Sequence, residues 1–136
     1  MKANIRLEHN LPFVQLKVWY KGQFLFLNKV LLDTGSASTI LKLELVEQIG
    51  ITAESGDIVG SIFGVGGSEY VFLKTIDKLE INELEINNFT VDIGVMEYGI
   101  EIDGIIGIDL LLRMKGRINL EEMTLEGKLE EGRGIA

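Results

Sequence analysis

The chain has 136 residues, a formal charge of −8 and no cysteine, which implies one domain with a small core and no disulfide, zinc thiolate or thiol nucleophile. A phosphate backbone rewards Lys and Arg, so the acidic balance argues against a nucleic-acid partner. No apolar run reaches membrane-spanning length and Met1 to Arg6 lacks the apolar core of an export signal, so a cytoplasmic protein away from membranes is expected.

Ile5-Arg6-Leu7 alternates as a strand would, and a turn follows around Asn10. His9, the only histidine, sits in that turn and reads as a surface residue, although a Ser-His-Asp triad would have to use it. Pro12 to Tyr20 alternates strictly, Lys21-Gly22 turns the chain, and Phe24 to Leu32 returns as the second strand of a hairpin. That strand stops at Asp33-Thr34-Gly35-Ser36. Thr39-Ile40-Leu41 resumes β character. Leu43 to Ile49 reads as a short helix with Gly50 as its C-terminal stop.

Ser61 to Phe72 is apolar, then glycine-rich at Gly64-Val65-Gly66-Gly67, then apolar again, which predicts a hairpin with a glycine tip. Lys78 to Ile86 and Phe89 to Met96 are expected as strands around a turn at Asn87-Asn88. Gly104-Ile105-Ile106-Gly107 is a very short apolar strand, and Ile108 to Met114 a brief helix. Arg117 to Leu120 and Met123 to Leu125 read as a terminal hairpin around Glu121-Glu122. Residues 127–136 form a polar, loose tail. The late acidic residues, from Glu97 to Glu131, are expected to be a solvated face. Many short strands with one or two short helices predict a mostly-β barrel or sandwich.

The chemistry converges on Asp33. A strand burying Leu31 and Leu32 delivers this carboxylate to the rim of a core. Gly35 allows a sharp turn there, and Thr34 and Ser36 bring hydroxyls. One carboxylate cannot be acid and base at once, and no second Asp-Thr-Gly or Asp-Ser-Gly occurs. Asp57, Asp92, Asp103 and Asp109 fit no EF-hand spacing. Asp109 is expected to cap or anchor its helix. No Lys-Ser or Lys-Thr follows the glycine tip, so a phosphate loop is disfavoured.

Taken in order, Asp33-Thr34-Gly35-Ser36, the tip Phe63-Gly64-Val65-Gly66-Gly67, and Ile105-Ile106-Gly107 before a helix resemble the retropepsin-like aspartic proteases. The resemblance covers the chain from Pro12 through the terminal hairpin. It implies a half-barrel protomer, 1–136, that works as a homodimer without metal or cofactor. It also implies Asp33 as the catalytic residue, with Thr34 cross-linking the two active-site loops. Gly35 and Ser36 shape the loop, the glycine-tipped hairpin closes as a flap over a peptide or protein substrate, and Ile105-Ile106-Gly107 braces the loop. Retroviral members pair an Asp and an Arg at the positions of Ala37 and Ile108, so that contact is missing here. Two carboxylates sharing one proton supply the acid and base of peptide hydrolysis, as the family's dyad does. The function so implied is aspartic endopeptidase. The rivals are a non-catalytic peptide-binding or dimerisation module on the same fold, and a subunit pairing with a different Asp-Thr-Gly protein.

Overall fold

The computed structural model describes residues 1–64 and 67–128. Strands dominate, in two sheets. Strand β1 (Lys2–Asn4) belongs to a small sheet completed by β10 (Arg117–Asn119) and β11 (Thr124–Glu126) in the order β1-β11-β10. The large sheet holds β2 (Arg6–Glu8), β3 (Leu11–Tyr20), β4 (Gln23–Leu32), β5 (Ile40–Lys42), β6 (Val59–Gly64), β7 (Gly67–Ile81), β8 (Leu84–Gly94) and β9 (Gly104–Ile106). Its order is β2-β3-β4-β9-β5-β8-β7-β6, and an extra β3–β7 pairing curls it back on itself.

Alternation in β3 and β4 explains the core. Leu16, Val18 and Leu27 are fully or almost fully buried, whereas Phe24 and Phe26 on the other face stay half exposed. Fully burying a side chain of this size contributes about 1.5–3 kcal/mol. The main cluster gathers residues from nearly every strand, Leu32 and Ile106 among them. A smaller second cluster of Phe13, Ile40, Val71, Met96 and Ile102 takes Leu31, Ile62 and Ile105 against it. Successive residues of one strand therefore serve two clusters: Leu31 faces the small one and Leu32 the large one.

Helix α1 (Leu43–Val46) passes into a 3-10 turn at Glu47–Ile49, and Gly50 ends it at φ +88°. Only residues without a Cβ adopt that φ freely, so the expected stop is in place. Helix α2 (Ile108–Arg113) buries Leu110 and Leu111 and leaves Leu112 70% exposed. Among the described residues no helix is long and apolar enough to cross a membrane. Lys74 on β7 is buried beneath Glu54 and Asp57, at 2.5 and 3.0 Å. Its bond to Glu54 raises the ammonium pKa, and the same bond lowers that of Glu54.

Two expectations need correction. The turn between β7 and β8 lies at Asn82-Glu83, not at Asn87-Asn88, because Ile81 pairs with Leu84 and Leu79 with Ile86. That register buries all four side chains on one face. Asn88 keeps a positive φ of 53° inside β8, between the pairs Ile76–Phe89 and Lys78–Asn87. The terminal hairpin packs into the protomer, with Leu125 in the main cluster and Ile118 and Met123 against it, and the tail behind it begins ordered. Gly127 and Lys128, the first residues of the expected loose tail, donate backbone hydrogen bonds to the carbonyls of Met1 and Met114. Residues 129–136 lie outside the described part.

Candidate active site

Asp33 ends β4. Upstream, Val30, Leu31 and Leu32 pair in parallel with Gly104, Ile105 and Ile106 of β9. On its other side β9 meets β5 antiparallel, with Ile40 opposite Ile105. Leu31, Ile105 and Ile40 thus form one row across three strands, and all three belong to the smaller cluster. The carboxylate emerges where that row stops.

The loop after Asp33 is tied down atom by atom. The Asp33 N–H donates to the Ile106 carbonyl at 3.0 Å. The Ser36 N–H donates to the Asp33 carbonyl at 3.1 Å, closing a turn. The Gly35 N–H donates to Asp33 Oδ1 at 2.9 Å, which fixes the rotation of the carboxylate. A Cβ on Gly35 would stand only 3.2 Å from that oxygen. The Ser36 hydroxyl donates to the Ser38 carbonyl at 2.8 Å, so it shapes the loop and leaves the orienting of the carboxylate to the Gly35 N–H. A backbone N–H takes that role because it is held by the turn itself, whereas a hydroxyl would have to be held separately. Thr34 is exposed on the loop.

Gly107 crosses this loop at close range. A Cβ there would lie 2.5 Å from the Ser38 oxygen and 2.8 Å from the Ser36 oxygen. Both are backbone atoms, so no side chain can swing aside. Gly107→Ala is expected to cost about 3 kcal/mol by forcing two backbones apart, a fall in Tm on the order of 10 °C for this chain length. Gly60→Ala is the control, since its Cβ would meet only side-chain methyls at 3.7 and 3.8 Å. Parallel thermal melts check the pair. Equal Tm values would show that the crossing of the two backbones is not tight.

Around this centre the other predicted residues divide. Ile105 pairs with Leu31, Ile106 accepts the Asp33 N–H, and Gly107 lies against the backbone of Ser36 and Ser38. Phe63, Gly64 and Gly67 fall in the β6–β7 hairpin, with Phe63 opposite Ser68 and Gly64 opposite Gly67. The tip residues Val65 and Gly66 lie outside the described residues. The hairpin's edge strand, β6, sends Ile62 to the same cluster as Leu31 and Ile105. Glu69, seven residues into the chain from Ile62, joins β7 to the 95–103 segment by accepting bonds from Met96 N–H and the Tyr98 hydroxyl. Burial, and then that carboxylate, push the Tyr98 phenol far above its usual range. A cleft of about 210 Å³ borders the cluster and is lined by Leu11, Phe13, Lys29 and Ile100 among others.

The four aspartates weighed above as metal ligands have separate partners. Asp57 binds Lys74, and Asp92 accepts from the Ser38 hydroxyl. Asp103 accepts the N–H groups of Asn28 and Lys29 at 3.1 and 3.0 Å. Asp109 accepts from the N–H and hydroxyl of Thr39 at 3.2 and 2.8 Å. Sequence reasoning singled out neither Thr39 nor Ser38, because their partners lie 70 and 54 residues away.

A strand-borne Asp-Thr-Gly carboxylate on a curled sheet, crossed by a second glycine loop, is the layout of an aspartic-protease protomer. The comparisons name the family. The aspartyl protease family model matches residues 16–110, well over half of the chain, so the protein belongs to the aspartyl protease family. The fold is similar to that of a retropepsin-like aspartic protease from Rickettsia conorii, with a TM-score of 0.64 and 18% identity. That match covers 92% of this chain and 86% of the other. Among curated proteins none matches.

Proposed function

We propose that the protein is an aspartic endopeptidase that hydrolyses peptide bonds as a homodimer. The observation that carries this reading is the Asp33 carboxylate, pinned by the Gly35 N–H at 2.9 Å at the end of β4. Each chain supplies one such carboxylate, so a two-fold axis between two loops would bring the second. One member of the pair takes a proton from water while the other, protonated, gives one to the departing amine. The Thr34 hydroxyls tie the two loops across the axis. Substrate lies extended over the Leu31–Ile105–Ile40 row, bonded through its backbone as an added strand, with apolar side chains against the second cluster. The β6–β7 hairpin covers it as a flap.

The test uses a statine-type transition-state mimic. A ligand at 100 times its Kd adds about 2.7 kcal/mol to folded-state stability, roughly a 5–10 °C rise in Tm at this size. The rise should vanish when Asp33 is replaced by Ala. A mimic that leaves Tm unchanged, together with tight binding of uncleaved apolar peptides, would favour the non-catalytic peptide-binding module.

A further inference from the structure

The Asp33 loop is stapled to the segment 106–109 at three places. The first is the Asp33 N–H on Ile106 O at 3.0 Å, and the second is the Ile108 N–H on Ser36 O at 2.8 Å. Both are backbone bonds that any sequence could make. The third is built from side chains. Thr39 is fully buried, at 0% exposure, and uses every polar group it has. Its N–H and hydroxyl donate to the two oxygens of Asp109, at 3.2 and 2.8 Å. Its hydroxyl oxygen accepts the Gly107 N–H at 3.1 Å, and its carbonyl accepts the Asp92 N–H at 2.9 Å. Asp109 in turn accepts from the Leu110 N–H at 2.7 Å.

The consequence lies in what the hub connects. Thr39 opens the strand that carries Ile40, and Gly107 closes the strand that carries Ile106, the residue holding the Asp33 N–H. Asp109 ties both to the first turn of α2. Ala37 and Ile108 carry no charge, so these positions offer no ion pair between the loops. We propose that Thr39 and Asp109 are positioning residues for the hydrolytic reaction, holding the loop so that the Asp33 carboxylate keeps its aim. This inference rests on the endopeptidase reading and extends it to two residues that do not touch Asp33. Neither is replaceable by a mere space-filler. Valine at 39 would leave the Gly107 N–H without its acceptor and one Asp109 oxygen without its hydroxyl donor. Asparagine at 109 would turn an NH2 group toward an N–H or O–H donor of Thr39.

Misaiming a reacting group by about 1 Å lowers rate roughly 100-fold, so a partial loss of aim should lower kcat roughly 10- to 100-fold. The experiment compares parent, Thr39→Val, Thr39→Ser and Asp109→Asn on one peptide substrate. Sites are counted by titration with the statine-type mimic, so that unfolded protein does not enter kcat. The expected result is kcat reduced in Thr39→Val and Asp109→Asn with KM within about twofold of the parent, and kcat restored in Thr39→Ser, which keeps the hydroxyl. Asp109→Asn serves wherever Thr39→Val does not fold. Lower Tm with parent kcat per titrated site in the folded variants would overturn the inference and leave a purely structural hub. A parent with no hydrolytic activity would overturn the endopeptidase reading itself, and the positioning role with it.

Discussion

Asp33→Asn is expected to abolish peptide hydrolysis while leaving fold and assembly intact. Asparagine matches aspartate in shape, and its Oδ1 can still accept the Gly35 N–H that holds Asp33 Oδ1 at 2.9 Å. The backbone ties of the loop, Asp33 N–H to Ile106 O and Ser36 N–H to Asp33 O, do not involve the side chain at all. What the amide lacks is basicity. It cannot take a proton from water, and in a homodimer the substitution strikes both members of the pair. General acid–base catalysis is worth about 10²–10⁴-fold per proton transfer, so the combined loss should reach about 10⁴-fold or more. Removing the negative charge that the pair shares should also tighten the dimer, because no charge is then held between the two loops. Progress curves on a purified variant check the first point, and sedimentation at several concentrations checks the second. Turnover within tenfold of the parent would remove Asp33 from the catalytic role.

How much of this was readable beforehand depends on the distance over which each feature is decided. Asp33 at a strand end was readable because Val30, Leu31 and Leu32 form an unbroken apolar run that a polar turn terminates. The helix of 43–49 and its stop at Gly50 were readable for the same reason, since all their signals lie within one or two turns. The β7–β8 turn was not. Asn82-Glu83 and Asn87-Asn88 are both good turn dipeptides, and Asn82 and Asn88 both have positive φ, at 55° and 53°. The choice falls to register: pairing Ile81 with Leu84 and Ile76 with Phe89 lets a 15-residue strand run unbroken from Gly67. No local window contains that information. The pairing of Lys2 with Glu126 lies beyond any local signal too.

The site shows the same division. Gly107 could be named from its apolar-apolar-Gly motif, but its reason is a backbone crossing at Ser36 and Ser38. Thr39 looked like the start of a strand. Only the fold reveals that its hydroxyl stands between Gly107 and Asp109, 68 and 70 residues later.

Activity should be a property of the dimer, and dilution should expose it. The protomer has one Asp-Thr-Gly loop, so a monomer holds one carboxylate where the proposed reaction needs two. Well below the dimer dissociation constant, the active fraction falls in proportion to total protein, and rate should follow the square of enzyme concentration. Well above it, rate should be linear. A statine-type mimic binds the assembled site alone and should pull the dissociation constant down by mass action. Where the interface lies cannot be tested by cutting the chain after Met114. That cut removes Leu125 from the main cluster, together with the partners of β1 and the Lys128 bond to Met114, and should unfold the protomer. A point change is the better probe. Leu120 sits at the end of β10 with 67% exposure and contributes nothing to the main cluster. Leu120→Asp should therefore leave Tm at high dilution unchanged. If the terminal hairpin contributes to the two-fold contact, the variant should shift the square-law region to higher concentration. If only the loops and flaps make that contact, the region should stay where it is in the parent. A rate that remains linear down to concentrations where sedimentation shows only monomer would refute the shared-site mechanism altogether.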